Sequence, residues 1–143
     1  MRELVAALGM LGPAVDDVDR IERVRLFEEL KSIAAAAQAV EARDFDRSQR
    51  ARQAVDGVPV KQQGRGIAGQ IALARRISPW AAARYLGWAR ILPEELPHTF
   101  ALLRQGRISE WRATLVARET LFLSRADRAV VDAEFAPPPR GLG

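Results

Sequence analysis

The chain has 143 residues, with 22 lysine and arginine side chains against 18 aspartate and glutamate side chains, and 48% of its residues are hydrophobic. This length corresponds to one ordinary domain, which can bury a core without a disulfide or a metal. With no cysteine and one histidine, the sequence excludes disulfide scaffolds, thiolate nucleophiles and zinc sites built from cysteine or paired histidines. We expect no cofactor and no metal site.

The apolar stretches are short. The longest runs from Ile33 to Ala37, whereas a membrane-spanning helix needs about 20 such residues. The first residues lack an apolar segment followed by a small-residue cleavage site, so no signal peptide is predicted. We expect a cytoplasmic protein with no membrane contact.

The charge is unevenly distributed. Residues 1–46 carry six basic and ten acidic side chains, and residues 94–143 carry seven of each. Residues 47–93, the basic block, carry nine basic side chains and one acidic side chain, Asp56. Such a block attracts a polyanion, and nucleic acid is the most common one in a cytoplasm. The alternative is that the block pairs with the acidic first third of the same chain.

The spacing of apolar residues predicts helices throughout, because these residues recur at three and four positions rather than at two. We therefore predict an all-α multi-helix bundle over residues 1–136. A short helix is expected over residues 2–8. A long N-terminal helix is expected from Asp16 or Asp17, either of which can cap it, to about Asp44. Its inward positions are expected to be Ile21, Val24, Phe27, Leu30, Ile33, Ala37 and Val40.

A basic connector, residues 47–65, is predicted to join the acidic N-terminal helices (1–46) to a bundle over residues 66–136. The expected helices of that bundle cover about residues 67–76, 79–91, 97–105, 110–121 and 125–135. Ser78, Ser109 and Ser124 are typical helix caps, with Asp127 as a capping-box acid, while Pro93 and Gly106 mark helix ends. Residues 137–143 are expected to be a disordered tail.

The segment from Ile71 to Leu86 resembles a helix-turn-helix. Ala72 or Ala74 lets the two helices approach, and Ile77 with Ser78 provides an apolar plug and a cap. Three residues suit the inner face of the second helix, namely Ala82, Tyr85 and Leu86. The outer face, with Trp80, Ala81, Ala83 and Arg84, would then lie in a major groove.

Six residues are the candidate DNA contacts. Arg84 can hydrogen-bond guanine or a phosphate, while Arg75, Arg76 and Arg90 would position the duplex through its backbone. The alternative is a capped helical hairpin inside an all-helical core. Trp80 and Trp111 are expected to be packed rather than exposed. The candidates are Arg65, Arg75, Arg76, Trp80, Arg84 and Arg90.

Catalytic motifs are missing from the sequence. His98 follows Pro97 at a predicted helix start, where a histidine is most often a surface or capping residue. Glu94 and Glu95 are adjacent and do not face each other across a substrate. We find no phosphate-binding loop, dinucleotide fingerprint or serine-hydrolase elbow. No catalytic residue is therefore assigned.

Residues from about 66 to 135 resemble an actinobacterial family, the domain of unknown function 222, which overlaps the 13E12 repeat proteins. The order and spacing of several segments carry the resemblance. These segments are Gln70 to Pro79 with Ala82 and Arg84, Ala89 to Leu92, Leu96 to Leu103, Gly106 to Glu110, and Leu123 to Arg128.

The resemblance implies a helical region that commonly precedes an HNH endonuclease module. Such a module uses a histidine as general base, with further His, Asp or Asn side chains around a divalent metal. This chain has His98 alone and reaches Gly143 soon after Pro137, where relatives usually continue. The nuclease activity is therefore not expected here. A short family member, a fragment and a gene remnant remain open.

Three functions follow in order of support from the sequence. The first is a non-catalytic helical DNA-binding or DNA-associating domain of an HNH-associated family. The second is a protein-interaction module that forms a homodimer through the helix predicted over residues 17–44, with no role in nucleic-acid binding. The third is hydrolysis of nucleic acid by this chain itself, which lacks the expected ligands.

Overall fold

The computed structural model describes residues 1–135, which form seven α-helices and a short 3₁₀ turn at Val60–Gln62. The all-α bundle with one long N-terminal helix is confirmed. The helices are α1 (Arg2–Gly9), α2 (Asp17–Val55), α3 (Ile67–Arg75), α4 (Pro79–Glu95), α5 (Pro97–Arg104), α6 (Glu110–Glu119) and α7 (Arg125–Phe135).

Helix α2 begins as predicted and ends later than predicted. Asp16 caps it, because its carboxylate accepts a hydrogen bond from the backbone N–H of Asp19 at 2.8 Å. The prediction that the helix ends at about Asp44 is wrong, since it continues to Val55. Residues 47–55 are free of glycine and proline and rich in good helix formers. The chain leaves the helix at Gly57, whose φ of 80° suits a glycine.

The predicted inward face of α2 is wrong except at Val40, which packs partly buried against the core. Ile21, Val24 and Ile33 are exposed by 69%, 63% and 43%. Small residues make the contact with the bundle instead, because they let helices α4 and α5 approach the α2 backbone closely. The buried residues of α2 are Ser32, Ala35, Ala36, Ala39, Ala42 and Asp46.

Helix α4 is the centre of the bundle and packs against α2, α3, α5, α6 and α7. Apolar side chains from α2 to α6, together with Leu96 between α4 and α5, share one core cluster. Helix α1 contributes no buried residue. The largest fully buried apolar side chains are Ile67, Leu92, Leu96 and Leu103.

The prediction that Pro93 ends α4 is wrong. The helix continues to Glu95 with Pro93 inside it. Proline removes one backbone donor, but Leu92 and Leu96 on either side are fully buried. The backbone N–H of Leu96 still donates to the Leu92 carbonyl at 3.3 Å. Burial therefore holds the chain helical where local preference alone would end it.

The N-terminus of α5 is capped from another helix. Asp132 of α7 is fully buried and accepts from the backbone N–H groups of His98 and Thr99 at 2.8 and 2.9 Å. It also accepts from the Thr99 hydroxyl at 2.6 Å. Since Pro97 precedes these donors and the α5 cap position, Leu96, has no polar side chain, the tertiary fold supplies the cap.

The caps predicted from the sequence are confirmed. Ser78 and Ser109 accept from the backbone N–H groups of Ala81 and Arg112 at 3.1 and 3.3 Å. Ser124 accepts from the N–H of Asp127 and donates its hydroxyl to the carboxylate of that residue. Gly106 follows α5 with a φ of 72°, as a glycine after a helix commonly does.

The tail predicted over residues 137–143 lies outside the described residues. Among residues 1–135, no helix combines the length and the apolar composition that crossing a bilayer requires.

Candidate nucleic-acid interface

Helices α3 and α4 pack against each other across a three-residue turn, Arg76 to Ser78. Ala72 is buried on the α3 side, as the helix-turn-helix interpretation requires, while Ala74 is exposed. Ile77 packs partly buried against the core. The inner face of α4 is confirmed, since its three predicted members are buried: Ala82, Tyr85 and Leu86.

Arg76 takes the left-handed conformation that ends α3, with a φ of 57°. Its backbone N–H donates to the Leu73 carbonyl at 3.3 Å, and the N–H of Ile77 donates to the Ala72 carbonyl at 3.0 Å. This pair of bonds is the Schellman motif, which usually has glycine at the left-handed position. Arg76 is the single non-glycine residue with a positive φ in the described chain.

The outer face of α4 presents an exposed aromatic ring. Trp80 is 68% exposed, and the guanidinium carbon of Arg84 lies 4.7 Å from the centroid of its ring. The expectation that Trp80 and Trp111 are packed is wrong, because Trp111 is also 64% exposed. Both tryptophans begin helices on the side that faces away from the core. The Trp80–Arg84 pair therefore offers a flat ring and a cation to solvent.

Four of the nine basic side chains in the basic block are engaged in ion pairs. Arg50 and Arg90 both bind the buried carboxylate of Asp46, with N···O distances of 2.9 and 2.8 Å. Arg47 pairs with Glu94. Arg75 lies 3.8 Å from Glu110 and stacks over the Tyr85 ring at 3.9 Å.

The alternative of internal neutralisation therefore holds for part of the block. Asp46 alone represents the acidic first third, while Glu94 and Glu110 come from the last third. The remaining five basic side chains are on exposed residues and have no ion-pair partner within residues 1–135. They are Arg52, Lys61, Arg65, Arg76 and Arg84.

The structure brings some of the candidate residues together and separates others. Trp80 and Arg84 stack on one face, and Arg75 and Arg76 are adjacent at the end of α3. Arg65 lies beside α2, since its carbonyl accepts from the Gln53 side chain at 3.2 Å. Arg90 faces α2 in its ion pair. Three candidates therefore carry free charge: Arg65, Arg76 and Arg84.

A second arginine–tryptophan cation–π pair, which Arg118 and Trp111 form, was not predicted from the sequence. Arg118 lies 6.0 Å from the ring centroid of the exposed Trp111 on α6. The spacing of seven residues along one helix face was the available signal. Arg84 and Arg118 line the same groove between α4 and α6.

No catalytic arrangement emerges from the described part of the chain. No group of three His, Asp or Glu side chains among residues 1–135 is placed to hold a metal ion. His98 is half-buried in the first turn of α5, where its backbone N–H binds Asp132. Glu95 is committed to the buried Arg128 of α7.

The comparison with known proteins agrees with the resemblance seen in the sequence. A family model described as a domain of unknown function, DUF222, matches residues 24–137. No curated protein and no solved structure matches the chain significantly. The matched region covers most of α2 and all of α3 to α7. The chain therefore belongs to the DUF222 family.

Proposed function

We propose that this protein is a non-catalytic, helical DNA-associating domain that binds duplex DNA in the cytoplasm. The observation that carries the proposal is the exposed Trp80–Arg84 pair on α4, together with the free cation of Arg76 in the turn that precedes this helix. In a helix-turn-helix, this face of the second helix lies against the groove. The association with HNH nuclease modules that the resemblance implies suits this role.

The free charges support binding to phosphates more than reading of bases. Arg52, Lys61 and Arg65 lie at the end of α2 and before α3, while Arg76 and Arg84 lie at the turn and on α4. The outer face of α4 otherwise presents Ala81 and Ala83, which offer no hydrogen-bonding groups to base edges. We therefore expect binding with weak sequence preference.

The test is fluorescence anisotropy of a labelled duplex titrated with the protein at several salt concentrations. Five free cations predict a slope of log affinity against log salt between about −3 and −5, since each phosphate contact contributes about −0.9. The pair Arg76→Glu with Arg84→Glu should weaken binding by about tenfold or more at low salt and reduce the slope by about 2.

A matched control separates the site from net charge. Arg107 and Arg125 are also exposed but lie outside the basic block. Arg107→Glu with Arg125→Glu changes the net charge by the same amount, so the part of the affinity loss that comes from net charge alone is the same in both pairs. A clearly larger loss of DNA affinity in the Arg76–Arg84 pair than in this control supports the proposal. Equal effects of both pairs, or no binding at low salt, would overturn it.

A second candidate function is self-association, which the exposed apolar residues of α2 favour. Leu26 and Ile33 are 47% and 43% exposed. The apolar residues of this face follow spacings of four and three, which is the pattern of a helix–helix seam. They are Leu26, Leu30, Ile33 and Ala37.

Light scattering tests this second candidate. We expect a dimer that is lost in Leu30→Asp or Ile33→Asp, because a charge in the seam is desolvated on association. Gln38 is exposed on α2 away from the seam, so Gln38→Asp is the matched control and should remain dimeric. A monomeric wild-type protein at high concentration would exclude this function. A dimer without affinity for DNA would make it the leading one.

A further inference from the structure

A groove of about 400 Å³ runs between α4 and α6. Its wall is mainly apolar, with Ile91, Ala117 and Leu121 among the lining residues. Sites for small organic molecules have this size and this composition, combined with a few placed polar groups. The groove therefore has the dimensions of a small-molecule site.

Two residues that line this groove, Tyr85 and Trp88, each carry a buried hydrogen-bonding group without a partner. The Tyr85 hydroxyl and the Trp88 indole N–H make no hydrogen bond within residues 1–135, although the two residues are 8% and 9% exposed. Their rings lie 5.6 Å apart. Buried tyrosine and tryptophan normally find a partner for these groups. The two groups are therefore available to a ligand that carries acceptor atoms and reaches the base of the groove.

The charge on the groove is positive at its rim. Arg84 and Arg118 line it from opposite helices, while its acidic member, Glu110, lies 3.8 Å from Arg75. Arg118 also contacts Glu119 at 3.1 Å, but both side chains are more than half exposed, and such a surface pair contributes little. The polar groups on the groove are thus mainly donors and cations.

We propose that the α4–α6 groove binds a small organic acid, with the carboxylate near Trp88, Tyr85 and the two arginines, and an apolar chain along Ile91, Ala117 and Leu121. An indole N–H is a donor only, so it selects an acceptor. Arginine favours a carboxylate. The apolar wall favours a hydrocarbon body over an inorganic anion. This inference does not rest on the proposed DNA binding, although Arg84 belongs to both surfaces.

The experiment is a titration with sodium octanoate, followed by the indole N–H signals in ¹H–¹⁵N correlation spectra. The chain has three tryptophans, so single Trp→Phe variants assign the three signals. We expect a saturable shift that is largest for Trp88, because its N–H gains the hydrogen bond. Octyltrimethylammonium, which has the same chain and the opposite charge, should give no saturable shift.

Gly87 provides a matched pair of variants. It lines the groove from α4, and a Cβ added there meets no atom within 4 Å. Gly87→Leu should fill the groove and weaken octanoate binding by about tenfold or more. Gly87→Ala adds one methyl group and favours the helix, so it should fold at least as stably and bind octanoate nearly as well as wild type.

Arg118→Gln is the test of the charge. Loss of one charge-assisted contact should weaken octanoate binding by about tenfold, while the thermal midpoint changes little because the side chain is exposed. DNA affinity of Gly87→Leu should equal that of wild type, which keeps the two proposals separable.

Three results would overturn the groove proposal. The first is the absence of a saturable Trp88 shift up to about 10 mM octanoate, which would mean that the dissociation constant for octanoate lies above about 10 mM. The second is an equal response to octyltrimethylammonium. The third is unchanged octanoate binding by a folded Gly87→Leu variant.

Discussion

Two regions of the described chain differ in how their helices are held: the arm, residues 1–31, and the bundle, residues 32–135. The arm contains no buried residue, whereas every buried residue of the described chain lies in the bundle. Helix α2 belongs to both regions, so the same helix is exposed along one part and packed along the other. The comparison shows that helical periodicity predicts the helix and leaves its burial undecided.

Local interactions hold the arm helical. Glu22 and Glu29 pair with Arg25 at helical spacing. Hydrogen bonds from the Val15 backbone N–H and from Arg23 hold the pKa of Asp19 below its ordinary value, despite some desolvation. Such interactions favour a helix but do not fix it against a partner helix. Apart from Glu29, which lies against Gly106, the arm is therefore free to present apolar residues to another molecule.

The largest difference between the regions is expected from two aspartates that cap helices. Asp132 is fully buried and accepts three hydrogen bonds, whereas Asp16 is exposed and accepts one from Asp19. Asp132→Ala should lower the free energy of unfolding by about 3 kcal/mol, because it leaves the buried N–H and hydroxyl of Thr99 and the partly buried N–H of His98 unsatisfied. Asp16→Ala should lower it by about 1 kcal/mol or less. Urea denaturation measures the free energy of unfolding of both variants. Equal losses would contradict the difference between the arm and the bundle.

A second difference is expected from two glycines. A Cβ on Gly106 would lie 3.0 Å from the Glu29 Cβ and 3.2 Å from its Cα, and φ is 72°. Gly106→Ala should therefore destabilise the protein by about 2 kcal/mol, through backbone strain and displacement of α2. Gly9 of the arm has no atom within 4 Å of an added Cβ, so Gly9→Ala should be nearly neutral. Thermal unfolding of both variants is the measurement, and a neutral Gly106→Ala would be the contrary result.

A stabilising change is expected at the turn between α3 and α4. Arg76 holds a φ of 57° that glycine adopts without steric strain. Arg76→Gly should raise the free energy of unfolding by about 1 kcal/mol and weaken DNA binding through the lost charge. Arg76→Lys keeps the charge and the strain, so it controls for both effects. Destabilisation by Arg76→Gly would show that the side chain has a structural role.

The last prediction concerns the single tyrosine. Burial, opposed by Arg75 and assisted by Glu110, raises the pKa of Tyr85 to about 12. The ordinary pKa of a tyrosine is 10.0. The stabilisation that the raised pKa of Tyr85 gives the folded protein is therefore complete below pH 10 and is lost as the pH rises through about 12. Absorbance at 295 nm should show no tyrosinate in the folded protein at pH 10.5, whereas the urea-unfolded chain should be largely ionised. Ionisation of folded Tyr85 near pH 10 would contradict its burial.

Parts of the candidate site could be predicted from the sequence. The inner face of α4 and the cap at Ser78 follow from spacing and residue type, and both are observed. The ion pair between Arg90 and Asp46 could not be predicted, because the two residues lie 44 positions apart and come into contact only when α2 packs on α4. The stacking of Arg84 on Trp80 follows helical spacing, but the exposure of the pair depends on which face of α4 the core occupies.

The sequence by itself determined the seven helices, most of their ends and the family, since capping residues, glycines and apolar periodicity act over a few residues. Tertiary structure decided which face of α2 is buried, because close approach of helices favours Ala36 and Ala39 over the larger Ile33. It also decided the continuation of α4 through Pro93 and the cap from Asp132. Each of these depends on burial against a distant segment, which local sequence does not encode.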